Sequence, residues 1–216
     1  MKNLYKNHFR NQNYLMARTG INKIYRYDLE KIISKKDIAY IGALGNRKDL
    51  ETVFKSLKLI DEKFGKLIII GGTNDKQINY YNNLAEKIGI EDKIRITGWV
   101  ERKEIDEILK SVKIGLVPLK DNFFNRNLTS PIKIFNYFSH GIPFVGTDLL
   151  SIKEILNQKY GLLYKTRNSK DLANKIEVLN EDKDLYLKIV NNIYDFSEQL
   201  LWRKRGSKIL NFIDEI

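Results

Sequence analysis

The chain has 216 residues, 43% hydrophobic and 30% charged, with no cysteine, two histidines and a formal net charge of +11. This length suits one globular domain with an appended segment, and disulfides and thiolate metal sites are excluded. There is no run of 18 apolar residues to span a bilayer and no continuous apolar stretch near the N-terminus to serve as a signal peptide, so a cytoplasmic location is expected.

Residues 1–37 form a basic segment or linker. Through residue 36 nine Lys or Arg face two acids, a net of +7, which leaves +4 for the other 180 residues. A solvated flank, an anionic membrane surface and nucleic acid are the alternative partners of such a segment. Its aromatics, Tyr5, Phe9, Tyr14, Tyr25 and Tyr27, would stack on bases in the last case; otherwise they pack against the body or a further domain.

Regular patterning begins at residue 38. The run 38–44 (IAYIGAL) reads as a strand. A helix follows over 48–65, with Leu50, Val53, Phe54, Leu57 and Ile60 on one face and Gly65 as its stop. The run 66–72 (KLIIIGG) is continuously apolar, as in buried parallel strands. A helix over 74–90, capped by Asn74 or Asp75, a strand over 93–98, a helix over 101–112 and a strand over 113–119 continue the alternation. Residues 121–129 read as an irregular polar loop, and 130–141 as a helix with Ser130 as cap, Pro131 in its first turn and Gly141 at its close. A strand over 142–148, a short helix over 151–156 and a strand over 160–165 come next, and from about 168 the pattern is helical, capped by Asn168 or Ser169. Six strands alternating with helices predict an α/β fold, a Rossmann-like doubly wound parallel sheet of about six strands with a helical C-terminus. Residues 38–196 would form this domain and 197–216 a closing helix. Ligands of such sheets sit beyond the carboxyl ends of the strands, which directs attention to the loops at 42–48, 71–75, 98–101, 118–131 and 146–151.

Two of these segments carry anion-binding chemistry. The loop Gly42-Ala43-Leu44-Gly45-Asn46-Arg47-Lys48 leaves a strand and enters a helix, and offers glycines for close backbone approach, a helix start and two cations. It lacks both the Gly-x-Gly-x-x-Gly spacing and the Gly-Lys-Ser/Thr of a Walker loop, so it is either a diphosphate site or an ordinary turn with surface cations. The second segment is Thr129-Ser130-Pro131-Ile132-Lys133. Lys133 lies in the first turn of a helix, where a cation is disfavoured. It either faces a bound anion or points to solvent.

In order along the chain, YIGALGNRKDLETVFKSL, KLIIIGG, KIRITGWVERKEIDEILKSVKIGLVPL, SPIKIFNYFSHGIPFVGTDLLSIKEIL and YGLLYK resemble the C-terminal, donor-binding domain of GT-B glycosyltransferases of the retaining "group 1" class, family GT4. The resemblance covers about residues 38–180, and 197–216 is similar to that family's closing helix, which commonly crosses back to the N-terminal domain. It implies that Lys48 grips the diphosphate of a nucleoside-diphosphate sugar and that Gly42 lies near the sugar phosphates, with Arg47 standing in for a missing arginine. It also implies that Gly98, Trp99 and Val100 line the nucleobase, Trp99 by stacking or by packing. Thr129, Ser130, Pro131 and Ile132 would face the diphosphate and sugar, with Lys133 beside them, and Asn136 would stand at the ribose. The chain departs from the family's pair of carboxylates, having Leu128 and Asn136 at their positions, and Asp49 replaces a glycine beside the diphosphate site. His140 reads as a helix C-terminal cap and Asp148 as the cap of the next helix; Trp202 packs the closing helix.

What the resemblance implies is sugar transfer from a nucleoside diphosphate to an acceptor, with no cofactor and no metal. A complete enzyme of this type carries a second Rossmann-like domain ahead of this one. Residues 1–37 are too short for it, so a separate acceptor-binding domain or subunit is an expected partner, and the alternative function is a non-catalytic, partner-dependent nucleotide-sugar-binding subunit. A peripheral contact at the inner face of the membrane suits the basic segment. Nucleic acid is not an expected partner, and a nucleotide-sugar epimerase would need acidic and histidine side chains that the donor loops lack.

Overall fold

The computed structural model describes residue 15 and residues 19–60, 64–156 and 159–214. Helix α1 (Leu29–Ser34) leads into β1 (Asp37–Ile41), followed by α2 (Leu50–Leu57), β2 (Leu67–Ile70), α3 (Asp75–Ile88), β3 (Ile94–Gly98), α4 (Arg102–Leu109) and β4 (Val112–Val117). Then come α5 (Phe123–Asn127), α6 (Lys133–Ser139), β5 (Phe144–Thr147), α7 (Leu150–Leu156), β6 (Gly161–Tyr164), α8 (Ser169–Glu181), α9 (Lys183–Ser197) and α10 (Trp202–Asp214).

The six strands form one sheet in the order β3-β2-β1-β4-β5-β6, every neighbouring pair parallel. The residues of β2, Leu67 to Ile70, are all buried, as expected of a strand covered on both faces. The chain winds outward from β1 to β3, returns to β4 and winds the other way. The order therefore reverses between β1 and β4, and a crevice opens beyond their carboxyl ends.

Side-chain caps set several helix starts. Asn74 Oδ1 accepts from the Lys76 N–H (2.8 Å) and Asn168 Oδ1 from the Asp171 N–H (2.9 Å), so Asn rather than its neighbour caps in both places. Helix α6 buries Ile134, Phe135, Tyr137 and Phe138. The Tyr137 hydroxyl lies over the sheet within hydrogen-bond reach of the Ala39 carbonyl (3.0 Å) and the Leu116 carbonyl (3.1 Å). This pins α6 to the two central strands and fixes where its first turn stands.

Three sequence-based boundaries are corrected. The segment expected to be irregular, 121–129, contains α5, capped by Asn122 Oδ1 on the Asn125 N–H at 2.8 Å. Ser130 does not cap α6, which starts at Lys133; Ile132 holds the cap position in helical conformation, with no side-chain bond. Helix α2 ends at Leu57, well before Gly65.

The described part of the basic segment packs on the body. Ile21 N–H donates to the Leu200 carbonyl (2.9 Å), Trp202 N–H to the Ile21 carbonyl (3.0 Å) and Tyr25 N–H to the Ser139 carbonyl (2.7 Å). Tyr25 stacks on His140 with ring centroids 4.2 Å apart, so Tyr25 and Tyr27 are packing aromatics. Tyr5, Phe9 and Tyr14 lie outside the described residues. Among the described residues no helix is long and apolar enough to cross a membrane.

Candidate functional site

The crevice beyond β1 and β4 is built by interlocking loops. Lys48 forms an antiparallel bridge with Leu119, and Asp49 N–H donates to the Pro118 carbonyl at 3.0 Å. Lys120 N–H donates to the Arg47 carbonyl at 3.1 Å. Asn125, fully buried, ties the same loops with its amide nitrogen, which donates to the carbonyls of Arg47 (3.0 Å) and Lys120 (2.8 Å). Leu119 N–H donates to the Thr147 hydroxyl at 2.8 Å, so β5 helps hold the exit of β4. Lys48 is thus fixed beside the mouth of β4.

Lys133 enters from the other side. Its amine does not reach solvent: the residue is 7% exposed, and its Nζ is buried with no hydrogen-bond partner among the described residues. The ammonium lies 3.7 Å from the centroid of the Tyr40 ring. A Cβ on Gly42 would stand 3.3 Å from that Nζ, and Gly42 has φ +132°, so only glycine suits the position. Gly71 backs it closely: a Cβ there would meet the Gly42 carbonyl oxygen at 2.4 Å. Burial, and next the charge of Lys48, push the Lys133 amine well below its usual range. Lys48 is itself lowered by burial and by Arg47. The two amines, on different elements, are near enough for the charge of Lys48 to act on Lys133, and the deeper has no ion-pair partner among the described residues.

The structure sorts the remaining sequence-predicted residues. Asp49, a concern beside an anion, turns away from the crevice. Its carboxylate caps α2, accepting from the Thr52 N–H (3.4 Å) and the Thr52 hydroxyl (2.8 Å). The same contact corrects the expectation that the α2 start is open to phosphate: a carboxylate already occupies it, and anion attraction at this loop rests on the lysine. Arg47 is exposed and stacks over Phe124 at 4.4 Å. Thr129 N–H is used by the Phe124 carbonyl (3.1 Å) and Pro131 has none, whereas the amides of Ser130, Ile132 and Lys133 donate to no carbonyl among the described residues. Gly98 bridges Gly71, and Trp99 beside it is 70% exposed, so packing does not hold its ring. Val100 is half-buried. Asn136 accepts a bond from Arg102 at 2.5 Å, a partner that sequence reasoning missed across 34 positions. Asp148 pairs with Lys153 at 2.7 Å.

His140 closes α6 as expected, and its ring serves structure. A neutral imidazole donates from Nε2 to Asp106 (3.1 Å) and accepts at Nδ1 from the Tyr27 hydroxyl (2.8 Å). Burial outweighs the pull of Asp106 and lowers its pKa to about 4. A hollow of about 320 Å³ is lined by Lys48 itself together with Lys76, Tyr80, Tyr81 and Lys120, without residues 129–136.

Comparison with known proteins bears on the family and the fold. The family model "Glycosyl transferases group 1" matches residues 35–182. An uncharacterised glycosyltransferase of Methanocaldococcus jannaschii is 22% identical over 179 residues, 82% of this chain and 44% of that protein. The structure of HepE from Anabaena in complex with UDP and glucose superposes with a TM-score of 0.69 at 15% identity, covering 88% of this chain and 53% of that one. The C-terminal domain of LpcC, a group 1 family protein of Francisella tularensis, gives a TM-score of 0.64 at 17% identity over 82% of this chain and 95% of that one. The chain spans about half the length of the longer relatives, and its fold is one half of a GT-B architecture. With two thirds of its residues inside the family match, the chain belongs to the group 1 glycosyl transferases.

Proposed function

We propose that the chain is the donor-binding half of a two-domain glycosyltransferase. It holds a nucleoside-diphosphate sugar in the β1–β4 crevice and, with an acceptor-binding domain or subunit, transfers the sugar with retained configuration. One observation carries this proposal: the Lys133 amine, buried where the charge of Lys48 reaches it, has no hydrogen-bond partner among the described residues. A buried amine without a partner is costly, and an anionic ligand supplies the partner and favours its charged form. A diphosphate supplies two or more negative charges and fits over Gly42, where no side chain intervenes. The amides of Ser130 and Ile132 and the Thr129 hydroxyl then face it. The base lies along Gly98, Trp99 and Val100, and Asn136 stands towards the ribose. As the sugar departs, charge grows on the diphosphate, and the two fixed lysines stabilise it there, a role that needs no metal.

The test is calorimetric titration with UDP, GDP and ADP. One of them binds the wild type, and Lys48→Ala weakens it by at least tenfold while leaving the melting temperature within a few degrees. Equal binding by wild type and Lys48→Ala, or no binding of any of the three, would sink the proposal.

A further inference from the structure

Arg102 opens α4, two residues beyond Val100 at the exit of β3. Its Nε donates to Asp106 Oδ2 (3.3 Å) and its Nη2 pairs with Asp106 Oδ1 (3.2 Å). From its other side Nη1 donates to Asn136 Oδ1. Asp106 is itself fixed, accepting from His140 Nε2 at 3.1 Å and from the Tyr25 hydroxyl at 3.0 Å. Burial pushes the Asp106 carboxyl up, but the His140 bond, the Arg102 charge and the Tyr25 bond together hold it below the usual carboxylate range. It stays ionised and keeps its grip. An exposed arginine normally samples many rotamers; this one is set at both ends, yet its side chain is 58% exposed. A guanidinium has five N–H donors, and only three are engaged here. Donors held in place beforehand lose little entropy when a ligand arrives.

The position matters as much as the rigidity. Asn136 is one helical turn beyond Lys133, so the guanidinium lies between the exit of β3 and the turn that carries the buried ammonium. Adjacent strands are roughly 4.8 Å apart, which puts β3 about 10 Å from β1. A nucleotide with its diphosphate at the lysines and its base at residues 98–100 would span that gap with its pentose.

We propose that Arg102 grips the pentose of the donor nucleotide, offering N–H donors to its hydroxyl oxygens. This inference rests on the donor-site proposal above and goes beyond it. Asn136 offers less acceptor capacity than a carboxylate would, since it is neutral and one lone pair of its Oδ1 already accepts the Arg102 N–H. The charged contacts to the pentose therefore come from donors.

The experiment compares wild type, Arg102→Gln and Arg102→Lys by calorimetry, using the tightest binder among UDP, GDP and ADP, its 2′-deoxy counterpart, and inorganic pyrophosphate. Arg102→Gln is expected to weaken the nucleotide about tenfold, the effect of losing charge-assisted hydrogen bonds. Pyrophosphate affinity stays within about twofold, and the wild-type preference for the ribose form over the 2′-deoxy form disappears. Arg102→Lys, which keeps the charge and the fold but loses the planar fork, recovers only part of the affinity. If wild type binds both probes and both variants bind the nucleotide as wild type does, the role of Arg102 is overturned and the donor site stands. If the variants lose pyrophosphate and nucleotide equally, the arginine serves the phosphates or the fold, and the pentose assignment is wrong. If wild type binds no nucleotide and no pyrophosphate, the donor site itself falls, and the inference with it.

Discussion

Replacing Lys133 with methionine should stabilise the free protein and impair it as a binding domain. The two side chains are similar in length, so the packing of α6 on β1 survives. What changes is the buried Nζ, which lacks a hydrogen-bond partner. Removing an unsatisfied buried polar group recovers about 1–3 kcal/mol. Giving up the contact with the Tyr40 ring, 3.7 Å away, costs about 1 kcal/mol. The net gain is at most about 2 kcal/mol, which for a domain of this size raises the melting midpoint by up to about 8 °C. Because burial pushes this amine down, the unfolded chain takes up a proton that the folded one resists. Its stability cost therefore grows as pH falls below the unfolded value of 10.5, and the advantage of Lys133→Met should be larger at pH 8 than at pH 10. A bound diphosphate reverses the logic, because the anion favours the charged amine and binding is accompanied by proton uptake. The assay is thermal denaturation of both proteins with and without 1 mM UDP. The variant should melt higher alone and gain far less from the nucleotide. A lower midpoint without ligand, or an unchanged ligand shift, would refute the view that this ammonium is held uncompensated for an anion.

Three further outcomes follow from buried polar groups. His140 has its pKa lowered to about 4 from a usual 6.5, so the unfolded state binds the extra proton between these values. Stability is then full above about pH 6.5 and falls by up to about 3 kcal/mol on the way to pH 4, a slope that urea denaturation should find reduced in His140→Gln. Lys35, 6% exposed and lying 3.9 Å over the Tyr27 ring, is lowered to about 7 by burial, with Lys31 adding to it. Its contribution rises between pH 7 and 10.5 and is lost as pH falls, so Lys35→Met should be more stable than wild type at pH 7, by about 1–3 kcal/mol in chemical denaturation. Asn125→Ala leaves the Arg47 and Lys120 carbonyls without their donor. It should cost about 1–3 kcal/mol and also weaken nucleotide binding, because the loop that holds Lys48 loosens.

The parallel sheet was legible because strands buried on both faces leave unbroken apolar runs such as Leu67–Ile70, and because Asn74 and Asn168 mark helix starts through their own chemistry. Asp49 could also have been read as a cap rather than as a threat to an anion, since it stands directly before α2. Helix α5 was missed because its five residues, FFNRN, show no helical period; the signal was Asn122 three positions before Asn125. Helix α1 was missed too, although Asp28 ahead of LEKIIS is a capping signature. The burial of Lys133 was beyond sequence patterning. It depends on the space left by Gly42, some ninety residues away, and on Tyr137 anchoring α6 over β1 and β4. Arg102 was invisible for the same reason, since nothing local ties it to Asn136.

A crystal structure of the protein grown with UDP tests the central claim most directly. The account predicts the diphosphate over Gly42, within hydrogen-bond distance of the Lys48 and Lys133 amines. A nucleotide lodged instead in the hollow lined by Lys76, Tyr80 and Tyr81, with Lys133 still unpartnered, would contradict it.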